Sequence, residues 1–242
     1  MVFASGGQIE EFMKENDFVR VNKYLAACGI CSRREADRQI ENGCVRINGK
    51  VAEQGARVFS GDTVTWNGKA VEPVEKKTVL AFYKPVGVTC SEKDPHAEKL
   101  ITDLIRYPVR VTYAGRLDKD SEGLILLTND GELIQAMMRG RNGHEKEYIV
   151  KTDREITEAF LDRMRNGVFL AELNQRTRPC QAEKIGKFSF RIILTQGLNR
   201  QIRRMCGTEG YHVTSLKRIR VLNIGLDGLL EGRYREITGE EL

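Results

Sequence analysis

The segment 115–131 constrains this chain more than any other, because a cluster of charged residues runs directly into an apolar run. Its sequence is Gly-Arg-Leu-Asp-Lys-Asp-Ser-Glu-Gly-Leu-Ile-Leu-Leu-Thr-Asn-Asp-Gly. The continuous hydrophobicity of Leu124–Leu127 is typical of a strand that is covered on both faces. Asp118 therefore lies at the edge of a predicted core. A carboxylate there either forms an ion pair or a turn, or takes part in chemistry, and the local residues do not decide between these interpretations.

The composition is that of a globular protein with a real core. The chain has 242 residues, 40% of them hydrophobic, which is enough for one large or two small domains. No apolar run approaches the roughly 18 residues that a membrane-spanning helix requires. The N-terminus is acidic where a signal peptide would be basic and then apolar. We therefore expect a cytoplasmic protein with no membrane partner.

The cysteines and histidines do not form a convincing metal site. Six cysteines are scattered along the chain without the density of a secreted disulfide scaffold, so we interpret them as reduced thiols. Cys28 and Cys31 form a Cys-x-x-Cys pair that could mark a zinc or thiol-redox site, but no second pair completes a zinc ligand set. His96, His144 and His212 share no ligand spacing. The expectation is a protein without metal or cofactor.

Positive charge is concentrated in one part of the chain. Residues 176–220 contain eleven Lys or Arg and only two Glu, although the formal net charge of the whole chain is +5. Clustered cations supply the salt-dependent, sequence-independent part of nucleic-acid binding, so this density favours a polyanionic partner. The alternative is a solvated basic face that only aids solubility.

Two short helices are predicted near the N-terminus. Residues 1–17 are polar and mostly acidic, and we expect a mobile tail there. A first helix is predicted to stop at Gly29. Ser32 with Glu35 three residues later forms a capping-box pattern, which opens a second helix that Gly43 ends.

A small curled sheet is predicted to follow the two helices. Val45–Ile47 alternates as a strand does, and the Asn-Gly pair at 48–49 is a hairpin turn signal. Val64–Trp66 and the Asn-Gly pair at 67–68 repeat this pattern.

Three ordered segments of this region resemble the S4 RNA-binding domain. They are residues 19–25 (Val-Arg-Val-Asn-Lys-Tyr-Leu), 29–37 (Gly-Ile-Cys-Ser-Arg-Arg-Glu-Ala-Asp) and 43–50 (Gly-Cys-Val-Arg-Ile-Asn-Gly-Lys). A helix N-terminus with flanking arginines also suits phosphate oxygens. The resemblance implies an RNA-facing set that consists of Arg20, Asn22, Lys23, Ser32, Arg33, Arg34 and Arg38.

A domain boundary is predicted in the charged, aperiodic stretch 73–77, which separates a small domain at 18–78 from a larger one at 79–242. In the larger domain, strands are predicted at 79–83, 124–128, 148–151 and 188–194, and helices at 98–107, 130–138 and 156–165. Gly140 and Gly167 are expected near the ends of the last two helices. The mixture predicts an α+β fold.

Four motifs of the larger domain resemble those of the pseudouridine synthases. They are Lys-Pro-Val-Gly at 84–87, Gly-Arg-Leu-Asp at 115–118 with Leu-Leu-Thr-Asn-Asp-Gly at 126–131, Lys-Glu-Tyr at 146–148, and Gly-Leu-Asn-Arg-Gln-Ile-Arg-Arg-Met at 197–205. With the S4 segments ahead of them, they point to the RsuA/RluB/RluE/RluF branch, and residues 144–148 are most similar to its RluF type. The resemblance implies a catalytic domain built on a mixed, mainly antiparallel sheet flanked by helices.

The chemistry of that family fits these residues. Isomerising uridine to its C-glycoside requires breaking the N1–C1′ bond, turning the base and rejoining it at C5, and an ionised aspartate in a dry pocket can act as covalent nucleophile. By resemblance Asp118 is the nucleophile, Arg203 keeps it charged through an ion pair, and Tyr148 stacks on the uracil and takes the C5 proton. Ile202 would form an apolar wall below the base, although it and Tyr148 also suit simple core packing. The residues alone leave Asp120 as a competing nucleophile.

A duplex hides the reacting atoms, so the uridine must be flipped out of the stack. The resemblance implies that Arg116 fills the vacated space, and the alternative is a surface arginine paired with Asp120 or Glu122. The other predicted substrate-binding residues are Leu117, Lys119, Arg200 and Gln201.

The expected substrate is a structured stem-loop of ribosomal RNA, with large-subunit (23S) rRNA preferred. The same chemistry on small-subunit (16S) rRNA or on a tRNA anticodon loop is an alternative. A rival from another class is a non-catalytic S4 protein whose second domain only clamps RNA. We expect a monomer, because no exposed apolar stripe is evident in the sequence.

Overall fold

The structure, a computed structural model, describes residues 18–138 and 143–241. These residues divide into two compact units. One contains the described residues up to Lys77 together with Tyr107–Val111 and Asn129–Gly131, and the other contains Thr78–Arg106, Thr112–Thr128 and the described residues from Glu132 onward. The tail predicted at 1–17 and the helix end predicted at Gly140 lie outside the described residues.

The helices of this part of the chain are α1 (Val21–Ala27), α2 (Arg33–Glu41), α3 (Gly131–Met138), α4 (Glu158–Arg165) and α5 (Gln201–Thr208). The strands are β1 (Val19–Arg20), β2 (Val45–Ile47), β3 (Lys50–Val51), β4 (Arg57–Val58), β5 (Val64–Trp66), β6 (Lys69–Ala70), β7 (Val79–Lys84), β8 (Thr112–Tyr113), β9 (Glu122–Thr128), β10 (Lys146–Thr152), β11 (Phe169–Leu170), β12 (Gln175–Arg176), β13 (Gln181–Gly186), β14 (Ser189–Leu194), β15 (Val213–Val221), β16 (Ile224–Gly225) and β17 (Tyr234–Glu236). In residues 18–138 and 143–241, no helix is both long and apolar enough to cross a membrane.

In the first unit, the two predicted helices are confirmed. The Ser32 side chain caps α2 by accepting a hydrogen bond from the backbone N–H of Glu35 at 3.3 Å, as the capping pattern predicts. Gly43 follows the helix with a φ of 68°, a conformation in which glycine carries no steric penalty. Leu25 of α1 and Ile40 of α2 are buried in one hydrophobic cluster, so the helices form because each has an apolar face to cover.

The small sheet of the first unit is built from the two predicted hairpins. Its strand order is β3-β2-β5-β6, and β1 pairs separately with β4. Asn48 and Gly49 both have positive φ (51° and 79°), and so do Asn67 and Gly68 (50° and 78°). Two consecutive positive φ values define the turn whose twist matches that of antiparallel strands, which is why Asn-Gly recurs here.

The second unit is organised around a nine-stranded sheet. Its main order is β13-β14-β10-β15-β9-β7-β17, with β16 beside β15 and β8 beside β9. The neighbouring strands run antiparallel except for β15 and β9, which are parallel. The predicted α+β fold with a mixed, mainly antiparallel sheet is confirmed.

Strand β9 lies near the centre of this sheet, between β7 and β15. Its residues Leu124–Leu127 are fully buried, which confirms the strand predicted from their continuous hydrophobicity. At the far end of β9, the hydroxyl of Thr128 donates to the carbonyl oxygen of Thr78 at 2.7 Å. The charged cluster at 115–121 therefore sits where a rigid buried strand begins.

Several predicted elements differ from the structure. The helix predicted at 98–107 is wrong, because only a 3₁₀ turn forms at Ile101–Leu104. The Asp103 carboxylate accepts a hydrogen bond from the backbone N–H of Leu100 at 2.8 Å, and such local bonds compete with helix formation. Helix α4 begins at Glu158 rather than at 156, with Thr157 as its cap. Strands β13, β15 and β17 were not predicted, because polar residues interrupt their apolar positions.

Candidate active site

Asp118 lies in a turn between β8 and β9. Its carbonyl oxygen accepts a hydrogen bond from the backbone N–H of Ser121 at 3.1 Å, which closes the turn. The N–H of Gly87 donates to the carbonyl oxygen of Lys119 at 2.8 Å and ties the loop after β7 to this turn. The segment is not extended, so strand alternation does not place Asp118 and Asp120 on a common side.

One arginine contacts both carboxylates of the turn. Nη1 and Nη2 of Arg200 donate to Oδ1 and Oδ2 of Asp120 at 3.1 and 2.8 Å, which is a bidentate pair. Nη1 of Arg200 also lies 3.8 Å from Oδ2 of Asp118. Arg200 precedes α5 with a φ of 50°, a left-handed conformation that non-glycine residues seldom adopt. This unusual backbone conformation places the guanidinium between the two carboxylates.

Arg203 contacts the same turn but pairs with Asp120. Its Nε lies 3.3 Å from Oδ2 of Asp120, and its Nη2 donates to the carbonyl oxygen of Asp120 at 2.8 Å and to Oγ of Ser121 at 3.2 Å. Its Nη1 donates to the carbonyl oxygen of Val213 at 3.2 Å. The predicted ion pair between Arg203 and Asp118 is not found among the described residues, because the guanidinium is engaged by Asp120 and by the backbone.

The two carboxylates therefore have different electrostatic environments. Partial burial raises the pKa of Asp120, but the hydrogen bonds from Arg200 and the charges of Arg203 and Arg200 outweigh it, so this pKa lies below its ordinary value. The hydrogen bonds to Asp120 in turn raise the pKa of Arg200. In the part of the chain that the structure describes, the one ion contact of Asp118 is with Arg200, at 3.8 Å, which is too long for a hydrogen bond.

Tyr148 lies in the middle of β10 and belongs to a row of residues that crosses the sheet. It is directly opposite Arg218 on β15, Arg218 is opposite Gly123 on β9, and Gly123 is opposite Lys84 on β7. Directly opposed residues on neighbouring strands carry their side chains on the same face. We call Lys84, Gly123, Arg218 and Tyr148 the cross-strand row. Gly123, the member on β9, lies two residues after Ser121, which closes the turn that carries Asp118.

Two cations of the cross-strand row are buried. Lys84 has no exposed surface, and its Nζ donates to the carbonyl oxygen of Pro85 at 2.7 Å. Arg218 is 3% exposed, and its Nε donates to the carbonyl oxygen of Leu124 at 2.6 Å. Burial lowers the pKa of Lys84 even though the nearby groups Cys90, Asp120 and Asp118 act to raise it.

Sequence reasoning missed the burial of Arg218. It stands in the run Lys-Arg-Ile-Arg at 217–220, and such a run predicts a solvated face. Only the apolar residues Leu216 and Val221 near it signal a partly buried strand. Lys84 carried a clearer signal, because it directly continues the apolar run Val79–Tyr83 and begins one of the family motifs.

The exposed members of the predicted substrate set are Arg116, Lys119 and Arg200. Lys119 lies 3.8 Å from Glu98, a surface contact of little energetic weight. Arg116 makes no ion pair in the described part of the chain, so the alternative that Asp120 or Glu122 holds it receives no support.

The other members of that set are buried. Leu117 packs in the core beside the turn, and Ile202 is buried on the first turn of α5. Gln201 is buried as well, and its Oε1 accepts a hydrogen bond from the backbone N–H of Leu198 at 3.0 Å. Its amide thus holds the loop before α5, which leaves it poorly placed for the predicted contact with the RNA backbone.

The predicted S4 residues lie in the first unit and differ in exposure and contacts. Arg20, Arg33, Arg34 and Arg38 are exposed. Ser32 caps α2, and the amide of Asn22 donates to Asp37 at 2.9 Å, so these two side chains support the helices. Lys23 is half-buried.

The cysteines of the described residues are all free thiols, including Cys28 and Cys31. Burial raises the pKa of Cys28 to about 12, which makes its thiolate scarce at neutral pH. Within 18–138 and 143–241, no three His, Cys, Asp or Glu side chains are grouped as metal ligands.

Comparison with known proteins identifies both parts of the chain. Residues 78–208 match the model of the RNA pseudouridylate synthase family, and residues 19–64 match that of the S4 domain. The chain is 47% identical over 232 residues to the dual-specificity RNA pseudouridine synthase RluF of Escherichia coli K12, covering 95% of this chain and 79% of that protein.

One further relative and one solved structure support the same family. The ribosomal large subunit pseudouridine synthase B of Bacillus subtilis is 36% identical over 231 residues, which cover 92% of this chain and 93% of that one. A crystal structure of a pseudouridylate synthase superposes with a TM-score of 0.69 at 26% identity, covering 92% of this chain and 97% of its own. The predicted resemblance, including that to the RluF type, is confirmed. The chain belongs to the RNA pseudouridine synthases, in the RsuA/RluB/RluE/RluF branch that carries an S4 domain ahead of the catalytic domain.

Proposed function

We propose that the chain converts a specific uridine of large-subunit rRNA to pseudouridine, with Asp118 as the nucleophile. The observation that carries this assignment is the unequal pairing of the two carboxylates. Asp120 is held by the bidentate contact with Arg200 and by Arg203 at 3.3 Å, whereas Asp118 has one ion contact, at 3.8 Å. A nucleophile needs an uncommitted oxygen, so the contact geometry favours Asp118.

The reaction leaves the oxidation state of uridine unchanged. An oxygen of Asp118 bonds to C1′ of the ribose while the N1–C1′ bond breaks and its electron pair stays with the uracil. After the base turns, C5 bonds to C1′, the bond from C1′ to Asp118 breaks, C5 loses its proton and N1 gains one. Tyr148, opposite Arg218 in the cross-strand row, stacks on the base and takes the C5 proton.

The remaining residues position the turn and the RNA. Arg203 acts on Asp118 indirectly, because it fixes the turn through Asp120 and Ser121. Leu117 and Ile202 provide apolar walls, which favour exclusion of water from the pocket. The exposed Arg116 enters the space that the flipped uridine leaves. Residues that meet the flanking RNA backbone are Lys119 and Arg200, with Gln201 shaping their loop.

The substrate class is supported by two features. The relative from Bacillus subtilis is named for the large ribosomal subunit, and the first unit exposes arginines that suit RNA phosphates. The relative from Escherichia coli is named for dual specificity, so a second RNA, such as a tRNA anticodon loop or 16S rRNA, belongs among the substrates to be tested. We further propose a cytoplasmic monomer with an S4 domain at 18–78 and a catalytic domain at 79–242.

A tritium-release assay tests the function. Transcripts of 23S rRNA, 16S rRNA and tRNA are labelled with tritium at C5 of uridine, and release of label is followed. We expect release from 23S rRNA, its loss in Asp118→Asn with unchanged RNA affinity, and only partial loss in the matched variant Asp120→Asn. Normal turnover by Asp118→Asn would refute the nucleophile, and no release from any RNA by the unaltered protein would favour the non-catalytic S4 protein. Mapping pseudouridines in cells with and without the gene then identifies the modified position.

A further inference from the structure

We propose that Arg218, with Lys84 beside it, stabilises the negative charge that uracil carries after the N1–C1′ bond breaks. This would make Arg218 a catalytic residue that contacts the detached base. The inference rests on the proposed function, because it assigns a new residue to the same reaction.

The first support is position. Arg218 is the only residue of the cross-strand row that has both Tyr148 and Gly123 as direct neighbours. Tyr148 is the proposed stacking residue, and Gly123 follows the turn that carries Asp118 by two residues. Lys84 stands on the other side of Gly123, which has no side chain. The row therefore presents two cations close to the place where nucleophile and base must meet.

The second support is the absence of a counterion in residues 18–138 and 143–241. Neither Lys84 nor Arg218 forms an ion pair with a carboxylate there, and the terminal nitrogens of Arg218 make no hydrogen bond to these residues. In these residues Arg203 Nε is the one side-chain nitrogen that is both fully buried and without a hydrogen bond, so the unbonded terminal nitrogens of Arg218 keep contact with solvent and can receive an anionic group. An anionic group of the substrate would provide the missing partner.

A third feature extends the basic environment. Lys146 lies two residues before Tyr148 on β10, so its side chain is on the same face. Burial lowers the pKa of Lys146, and the charge of Arg218 acts in the same direction. The charge of Arg218 acts on Lys84 in the same sense. In the strand order β10, β15, β9, β7, Arg218 on β15 stands between Lys146 on β10 and Lys84 on β7.

The chemistry requires such a group. Cleavage of N1–C1′ leaves the electron pair on the uracil ring, where it spreads over the ring nitrogens and the carbonyl oxygens. A guanidinium held in a desolvated site stabilises charge that develops there, without reorganising during the reaction. The charge disappears when C5 bonds to C1′ and the base exchanges its C5 proton for one on N1, so the cation does not trap the product.

Arg218→Gln and Arg218→Lys test the proposal. We expect single-turnover rates about 10²–10³-fold lower in Arg218→Gln, as for the loss of one donor from an oxyanion hole, and a smaller loss in Arg218→Lys, which keeps the charge. RNA affinity should stay within about twofold of the parent value, because the charge arises only during the reaction. Lys217→Gln is the matched control, since it removes a cation from the neighbouring position on β15 and should change the rate little.

The acidity of the leaving base gives the decisive comparison. Fluorine at C5 makes the detached uracil anion less basic, so an RNA with 5-fluorouridine at the target should depend less on Arg218. We expect a smaller rate loss with 5-fluorouridine than with uridine, measured as formation of the C1′–C5 bond in digested RNA. Uridine gives pseudouridine, whereas 5-fluorouridine, which has no C5 proton to lose, gives a C-glycoside that keeps its fluorine and adds water across N1 and C6. Equal losses with the two substrates, or a parent-like rate in folded Arg218→Gln, would overturn the proposal.

Three outcomes distinguish failure of this inference from failure of the proposed function. If Arg218→Gln does not fold, as judged by circular dichroism and RNA binding, Arg218→Lys is compared on both RNAs, and equal losses again overturn the proposal. If the parent protein forms no pseudouridine in any RNA, the proposed function fails and this inference fails with it. If the parent is active and Arg218→Gln is equally active, only this inference fails.

Discussion

The guanidinium of Arg200 binds Asp120 through two hydrogen bonds, at 2.8 and 3.1 Å. This contact gives two nearby carboxylates different partners, which is the basis for proposing Asp118 as the nucleophile. Arg203 adds a second cation to Asp120 at 3.3 Å, so both oxygens of Asp120 are engaged, whereas the ion contact of Asp118 with Arg200 is at 3.8 Å. If Asp118 is the nucleophile, as proposed, Asp120 acts as a positioning residue that holds both arginines away from it.

Replacing Asp120 by Asn should slow the reaction. Without its charge, Arg200 is free to close on Asp118, which it already approaches to 3.8 Å, and a fully paired carboxylate is a weaker nucleophile. We expect a single-turnover rate roughly tenfold lower at unchanged RNA affinity, on the order of 1.4 kcal/mol.

A double-mutant cycle separates this explanation from simple damage to the turn. If Asp120 acts through Arg200, then Asp120→Asn should have little further effect on the rate in an Arg200→Met background. Independent, additive losses in the cycle would contradict the positioning role.

Lys84→Met should stabilise the protein at neutral pH while it lowers activity. Lys84 is fully buried and its pKa is lowered by that burial, so its protonated form destabilises the fold. Replacing it with an apolar side chain of similar length should raise the free energy of unfolding at pH 7 by on the order of 1 kcal/mol. Activity should fall because the variant lacks a cation near Asp118.

The sign of the pH dependence follows from the lowered pKa. Between the folded-state pKa of Lys84 and its ordinary value of 10.5, the unfolded state binds more protons, so the contribution of Lys84 to stability rises with pH. The advantage of Lys84→Met should therefore be largest at neutral pH and shrink as pH approaches 10.5. Urea unfolding of both proteins across this pH range measures the difference in their free energies of unfolding. A difference that grows with pH would contradict the lowered pKa of Lys84.

The parts of the fold that follow local rules were predictable from the sequence. Leu124–Leu127 indicated a buried strand because no polar residue interrupts it, and Asn48-Gly49 indicated a hairpin because few residue pairs accept two positive φ values. Ser32 indicated a helix start because its hydroxyl can satisfy a free backbone N–H. These signals act over a few residues and depend little on the rest of the chain.

The site was only partly predictable, because its contacts join residues that are far apart in sequence. Asp118 and Tyr148 were identified by their motifs, but the pairing of Arg200 and Arg203 with Asp120 depends on how α5 approaches the turn. The burial of Arg218 depends on its neighbours β9 and β10. No local pattern distinguishes such an arginine from the solvated ones beside it.

Gly123→Ala should strongly destabilise the second unit. Gly123 has a φ of 110°, and a Cβ at this position would lie 2.2 Å from the carbonyl oxygen of Arg218. This oxygen belongs to the backbone of the parallel strand β15, so it cannot rotate away as a side chain could. We therefore expect a loss of roughly 3 kcal/mol or more in unfolding free energy. Gly228→Ala is the control, since its φ is 78° with open space around it, and should cost only about 1–2 kcal/mol. Equal losses for the two variants would show that the strands separate easily at Gly123.

Arg34→Gln should weaken RNA binding by removing a phosphate contact of the first unit. Arg34 is an exposed residue on the first turn of α2, where backbone N–H groups and a positive side chain both favour phosphate. We expect affinity to fall for all RNAs alike, and the slope of log affinity against log salt to decrease by about 1. Arg57→Gln removes the same charge from another exposed position of this unit, where Arg57 stacks on Phe18 at 4.1 Å, and should leave the slope unchanged. Filter binding at several salt concentrations measures both slopes, and a parent-like slope for Arg34→Gln would remove Arg34 from the RNA-facing set.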